Sequence, residues 1–228
     1  MRRWLFAALC LLIAAGTTAL GVWQVERRAW KHELVAKVDA RVHAPPRSLP
    51  LPAAWQSDVA YRRVRATGTF LHDRETLVQA VTGRGGGWWV VTPLRTGTGM
   101  VLVNRGFVPP EKRDPATRRT GLPAGPVRVT GLVRLSEPGG GFLRANDPAA
   151  GRWYSRDVAA IARARGLSAV APFFIDADAT ANPDGFPVGG LTVIAFPDNH
   201  LAYAVTWFAL AALSIGGAVA ILRHGRTE

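Results

Sequence analysis

The sequence predicts a membrane protein in which two transmembrane α-helices, N- and C-terminal, flank a mainly β (α+β), barrel- or sandwich-like extracytoplasmic domain. Three observations predict it. Uncharged apolar runs fill residues 4–25 and 201–222, near the two ends of the chain. Between them, short β-branched and aromatic runs alternate with Gly, Pro, Asn and Asp, the pattern of strands joined by turns. One clear helical stretch breaks that pattern. The expected division is an N-terminal transmembrane helix over 1–25, a juxtamembrane helix and Pro-rich linker over 26–60, the β-rich domain over 61–199, and a C-terminal transmembrane helix over 200–223.

At about 1.5 Å per residue, each apolar run roughly covers the ~30 Å hydrocarbon layer. The first could also be a secretory signal cut after Thr17-Thr18-Ala19. A membrane anchor is favoured, because the run exceeds a usual signal core and Trp23-Gln24 reads as an interfacial end. A lipoprotein reading through Ala8-Leu9-Cys10 puts the cysteine mid-run. Ala15 with Ala19, and Ala212 with Gly216, are small residues four apart that would let the two helices approach closely. Two spans put both termini on one side. Arg2, Arg3, Arg223 and Arg226 favour the inside for them, against Arg27, Arg28 and Lys31 on the other flank, and residues 24–199 are then outside.

Past the first span, Val25, Trp30, Leu34, Val35, Val38 and Val42 fall mostly at helical spacing, so the helix continues outward. Pro45, Pro46, Pro50 and Pro52 stop it. Strands are expected over 61–70, 76–80, 88–94, 100–108, 127–135, 172–177 and 191–196, spaced as in a barrel or sandwich. The interrupting helix runs over 158–165, started by Ser155 or Asp157 and ended by Gly166.

The net charge of +12 is carried mostly by scattered arginines, since Lys31, Lys37 and Lys112 are the only lysines. A nucleic-acid reader needs a basic stripe or a recognised module, and neither is present. The charge suits a solvated surface or anionic lipid headgroups of the bilayer. Cys10, the single cysteine, excludes an intramolecular disulfide and a cysteine metal cluster.

Catalytic signatures are missing. Gly83-Arg84-Gly85-Gly86-Gly87 lacks the Lys-Ser/Thr of a phosphate loop and precedes a strand, so it reads as a hairpin loop. Gly139-Gly140-Gly141 reads as a flexible loop. No HExxH, CxxC or GxSxG pattern occurs. Asn104-Arg105-Gly106 reads as turn chemistry, with Arg105 as an anion site the sharper alternative. Asp73 with Glu75, and Asp176 with Asp178, pair carboxylates, although such pairs usually decorate solvated turns. A catalytic residue is therefore not expected.

The approach to the second span is more pointed. Pro197 presets a turn, and Asp198 or Asn199 can accept the first free helix N–H groups. His200 then stands at the membrane boundary, and positions 200, 203, 204 and 207 share a helix face. His200, Tyr203 and Trp207 thus form a polar and aromatic stripe able to hold a flat cofactor. In an antiparallel pair, Trp23 and Gln24 reach the same depth. Two readings of His200 stand open: a boundary histidine that caps or meets headgroups, and a ligand.

Several blocks resemble the surfeit-locus-one family of membrane-anchored cytochrome c oxidase assembly factors. Leu20-Gly21-Val22-Trp23-Gln24-Val25-Glu26-Arg27 is similar to the family's leading motif. Thr92-Pro93-Leu94, the run Val101-Leu102-Val103-Asn104-Arg105-Gly106-Phe107-Val108-Pro109, and Gly189-Gly190 through Asn199-His200-Leu201-Ala202-Tyr203-Ala204-Val205-Thr206-Trp207-Phe208 are similar to later ones. Phe107 stands where the family commonly has Trp, and Asp198 is a slight variant. The resemblance implies a non-enzymatic factor that binds haem a as cargo and helps place it in the catalytic subunit of an aa3-type haem-copper oxidase. His200 matches the family's haem-binding histidine, and would be the ligand to iron. Partners implied are that subunit, the haem a synthesis machinery and the bilayer of a bacterial-type inner membrane. A scaffold that binds oxidase subunits without haem, and a membrane-anchored periplasmic enzyme, are the rival classes.

Overall fold

The computed structural model of the chain describes residues 2–50, 55, 58–183 and 185–224, with His224 by its backbone alone; Pro52 and Arg226 fall outside the described residues. Two units form, one from residues 1–39 and 194–228, the other from 40–193.

The first unit holds two helices, each long and apolar enough to cross a membrane. Helix α1, Arg2–His43, is one continuous element that carries on well past the apolar run before Pro45 and Pro46 end it. Helix α3, the last in the chain, is His200–His224. Small residues at seven-residue intervals are buried on both: Ala7, Ala14 and Gly21 on α1, and Ala204, Ala211 and Ala218 on α3. That spacing returns a residue to the same side of a helix after two turns. A Cβ on Gly21 would stand 2.6 Å from the Phe208 ring, which would have to swing aside to admit it. Ala15, Ala19, Ala212 and Gly216, expected at the interface, are instead exposed, and a Cβ on Gly216 would meet nothing within 4 Å. Several small residues crowd each span, and only the helix rotation decides which set meets its partner.

In the second unit, a seven-stranded sheet runs β1-β2-β6-β9-β5-β4-β3. The strands are β1 (Arg47–Ser48), β2 (Arg63–Phe70), β3 (Thr76–Thr82), β4 (Gly85–Thr96), β5 (Gly99–Val108), β6 (Pro126–Leu135) and β9 (Val170–Ala177). A further β2–β4 pairing, Gly68 to Thr96 through Phe70 to Leu94, closes β2, β6, β9, β5 and β4 into a ring. The barrel alternative holds. β5 and β9 pair in parallel and β6 with β9 antiparallel, so β9 is inserted between strands made earlier. A two-stranded hairpin, β7 (Gly140–Gly141) with β8 (Arg144–Ala145), occupies the stretch expected as a glycine loop.

Strand alternation sorts the core into two clusters. Inside the ring lie Val64, Ala66 and Phe70 of β2, Val101 and Val103 of β5, and Phe173 and Ile175 of β9. On the other face, Val78, Val91, Leu102 and Phe174 pack with Trp153 and with Val158 and Ile161 of helix α2 (Val158–Ala164). Asp157 caps α2 by accepting the Ala160 N–H at 3.0 Å. Ser155, the other expected cap, donates to the Glu137 carbonyl instead.

Two expectations change. Residues 191–196 form no strand, and the segment read as a linker is built into the unit: β1 pairs with β2, and Leu49, Trp55 and Val59 join the inner core. Pro45 and Pro46 end α1, but Leu49, Trp55 and Val59 beyond them have a place to bury.

Candidate functional site

His200 opens α3, where its backbone N–H donates to Asp198 Oδ1 at 3.0 Å. Asp198, rather than the Asn199 side chain, is therefore the cap. Its other oxygen meets His32 Nε2 at 2.9 Å and Arg28 Nε at 4.0 Å, and Lys31 donates to the Pro197 carbonyl. The His200 N–H, with help from His32, holds the Asp198 carboxyl below the ordinary carboxylate range. The turn before α3 is thus fastened to one side of α1.

That side was partly readable. Gln24, Arg28 and His32 recur every four residues and so share a helix face. His32 was overlooked because it lies beyond the apolar run among other charged residues. With Lys31, Val35, Asp39, Phe196 and Asp198 it lines a cleft of about 450 Å³.

The His200 ring is half-buried, and its Nδ1 lies 2.7 Å from Gln24 Oε1. An amide oxygen only accepts, so Nδ1 carries the ring proton in the neutral imidazole and the lone pair falls on Nε2. Among the described residues Nε2 has no hydrogen-bond partner. Of the five residues singled out from sequence, these two meet directly. Trp23 and Tyr203 are 53% and 55% exposed, and Trp207 is half-buried; no ring contact joins the three among the described residues. Ala204, on the same face as His200 and Trp207, is the residue that buries.

Two of the paired carboxylates, Glu75 and Asp176, serve structure. Arg118, fully buried, and Glu75, whose side chain is 6% exposed, form a two-pronged pair at 2.5 and 3.2 Å. Asp176 accepts from Asn104, Arg134, Arg156 and Thr192 at 2.8–3.2 Å. With every oxygen engaged, neither is free for proton transfer. Asn104-Arg105-Gly106 continues β5 instead of turning: Gly106 has φ +130°, and a Cβ there would meet the Val188 carbonyl at 2.2 Å. Arg105 follows Val101 and Val103 on the inward side and is 3% exposed; burial pushes its guanidinium down to about 10.

The family model described as "SURF1 family" matches residues 11–212. Surfeit locus protein 1 of Homo sapiens is 40% identical over 220 residues, covering 89% of this chain and 72% of the human protein. The SURF1-like protein of Monosiga brevicollis is 38% identical, over 94% of this chain and 87% of its own length. The SURF1-like protein of Drosophila melanogaster is 34% identical, over 89% and 72%.

Proposed function

Because the chain belongs to the SURF1 family, we propose that it is an assembly factor for an aa3-type cytochrome c oxidase, binding haem a and assisting its insertion into the catalytic subunit. The observation that carries the reading is the hydrogen bond from His200 to Gln24, which leaves an imidazole nitrogen with its lone pair free at the start of a span. Haem iron accepts such a nitrogen, and a partner on the other nitrogen raises its basicity and fixes the ring. The donor set fits this cargo better than a bare divalent ion, since no group of three His, Cys, Asp or Glu is placed to chelate one among the described residues.

Within this reading His200 would hold the haem iron and Gln24 would position its ring. Trp23, Tyr203 and Trp207 supply aromatic surface on the same two helices for a macrocycle to lie against. No bond of the cargo is made or broken, so the factor is not an enzyme. Its spans sit in a bacterial-type inner membrane with both termini cytoplasmic and the barrel periplasmic, the arrangement that terminal arginines favour. The oxidase catalytic subunit and the haem a synthesis machinery are its partners.

The test is the absorbance spectrum of the full-length protein purified from cells that make haem a. The wild type carries haem a, and His200→Ala loses it while remaining inserted, because alanine at a helix start costs little packing. Trp23→Ala and Trp207→Ala lose part of it. Full occupancy in His200→Ala overturns the ligand assignment. A haem-free wild type that oxidase maturation still requires overturns haem binding and leaves a scaffold for oxidase subunits.

A further inference from the structure

The ring of strands opens at one end into a cavity of about 310 Å³. Its walls are the last inward-facing residues of four strands, Phe70, Val103, Val127, Val129 and Ala177, with Arg105 among them. A small barrel fills most of its interior with side chains, so a void at the mouth is where it can take a ligand.

Arg105 makes this void unusual. Its Nη2 donates to the Gly121 carbonyl and to Asn182 Oδ1, both neutral, and its buried Nη1 has no hydrogen-bond partner. The Phe70 ring lies 4.8 Å from the guanidinium carbon. Glu75, the carboxylate that acts on Arg105, has both oxygens bound to Arg118. The sequence therefore places a buried cation with one unpartnered N–H donor on the wall of a cavity of mixed apolar and polar lining and, among the described residues, gives it no anion of its own, an arrangement that is costly unless an anion arrives.

We propose that the barrel mouth binds a small monocarboxylate with an apolar body, its carboxylate paired with the Arg105 guanidinium. Two further charges on the lining set the class. Arg128 is exposed and adds a positive charge, while Asp178, held by Arg63 at 3.6 Å and by Thr180, adds a negative one. Arg128 is screened by solvent and Asp178 is already paired with Arg63, so the one buried charge left to neutralise is that of Arg105, which fits a carboxylate and disfavours a phosphate dianion. The site lies wholly within the barrel unit and is independent of His200.

The test titrates hexanoate calorimetrically into the full chain in lipid nanodiscs, with empty nanodiscs subtracted. Hexanoate binds saturably, and hexanol and inorganic phosphate bind at least roughly tenfold more weakly, the factor that loss of one charge-assisted contact represents. Arg105→Gln weakens hexanoate by a similar factor. So does Ala181→Trp, which fills the mouth from an exposed loop position and decides the matter if Arg105→Gln fails to fold. Absence of saturable binding, equal affinity for hexanol, tighter binding of phosphate, or an unchanged affinity in either folded variant overturns the proposal.

Discussion

Glu75→Gln isolates the energetics of the buried arginines. Arg118 is fully buried at 0% exposure, and both Glu75 oxygens meet its guanidinium. The substitution keeps the volume and one acceptor but removes the negative charge. What remains is a buried guanidinium without a counter-ion, a situation that costs about 3–5 kcal/mol. The same carboxylate also offsets the Arg105 charge, so the upper part of that range is expected. For a unit spanning residues 40–193, each kcal/mol moves the melting temperature by roughly 2–4 °C, giving a fall of about 6–20 °C. Near-UV circular dichroism of the full chain in detergent follows the transition, with buried Trp153 among the aromatic residues reporting on the barrel. Replacing both partners, as Glu75→Leu with Arg118→Met, recovers most of the loss, because neither member of the pair is stranded and Arg105 loses the repulsion of Arg118 together with the attraction of Glu75. A fall below about 2 °C in Glu75→Gln would refute the reasoning, since the pair would then be solvated in practice.

Gly21→Ala forces a methyl against the Phe208 ring and loosens the helix pair by roughly 1–3 kcal/mol, whereas Gly16→Ala, with nothing within 4 Å, does not; faster maleimide labelling of Cys10 in the first variant alone is the readout. Gln24→Leu removes the acceptor that orients His200, and haem a content should drop while the protein stays inserted; unchanged content would show that His200 needs no support. Burial alone would raise the Glu137 carboxyl, but hydrogen bonds and charge from Arg156 hold it below the ordinary range. A depressed folded value contributes stability that is present above the unfolded value of about 4.3 and is lost as pH falls through the folded one. Melting temperature should therefore decline on acidification below about pH 4.3, and Glu137→Gln should flatten that decline.

The strands were legible because Gly, Pro, Asn and Asp punctuate them; of the hairpin loop expected over 83–87 only Gly83 and Arg84 turn, and the three glycines that follow belong to β4. The depth match of Gln24 with His200 was legible too, since antiparallel spans must begin and end together. Arg105 was not. A charged residue between Asn and Gly carries every local sign of a turn, and only the ring closure around it turns that sign into a buried position. Residues 191–196 show the reverse failure, a run with strand composition that pairs with no strand, although β3 ends the sheet. His32 needed knowledge that the α3 turn folds back onto α1, a contact made across most of the chain.

The place of β9 bears on how the molecule is made. It is the last strand to leave the ribosome, yet it lies between β5 and β6. Until residues 170–177 arrive, both of those neighbours present an unpaired row of backbone groups, and the ring cannot shut. Folding of the unit thus waits for nearly all of it, as its long-range pairings already require. A nascent chain halted before residue 170 would carry two open sheet edges, ready to pair with another such chain.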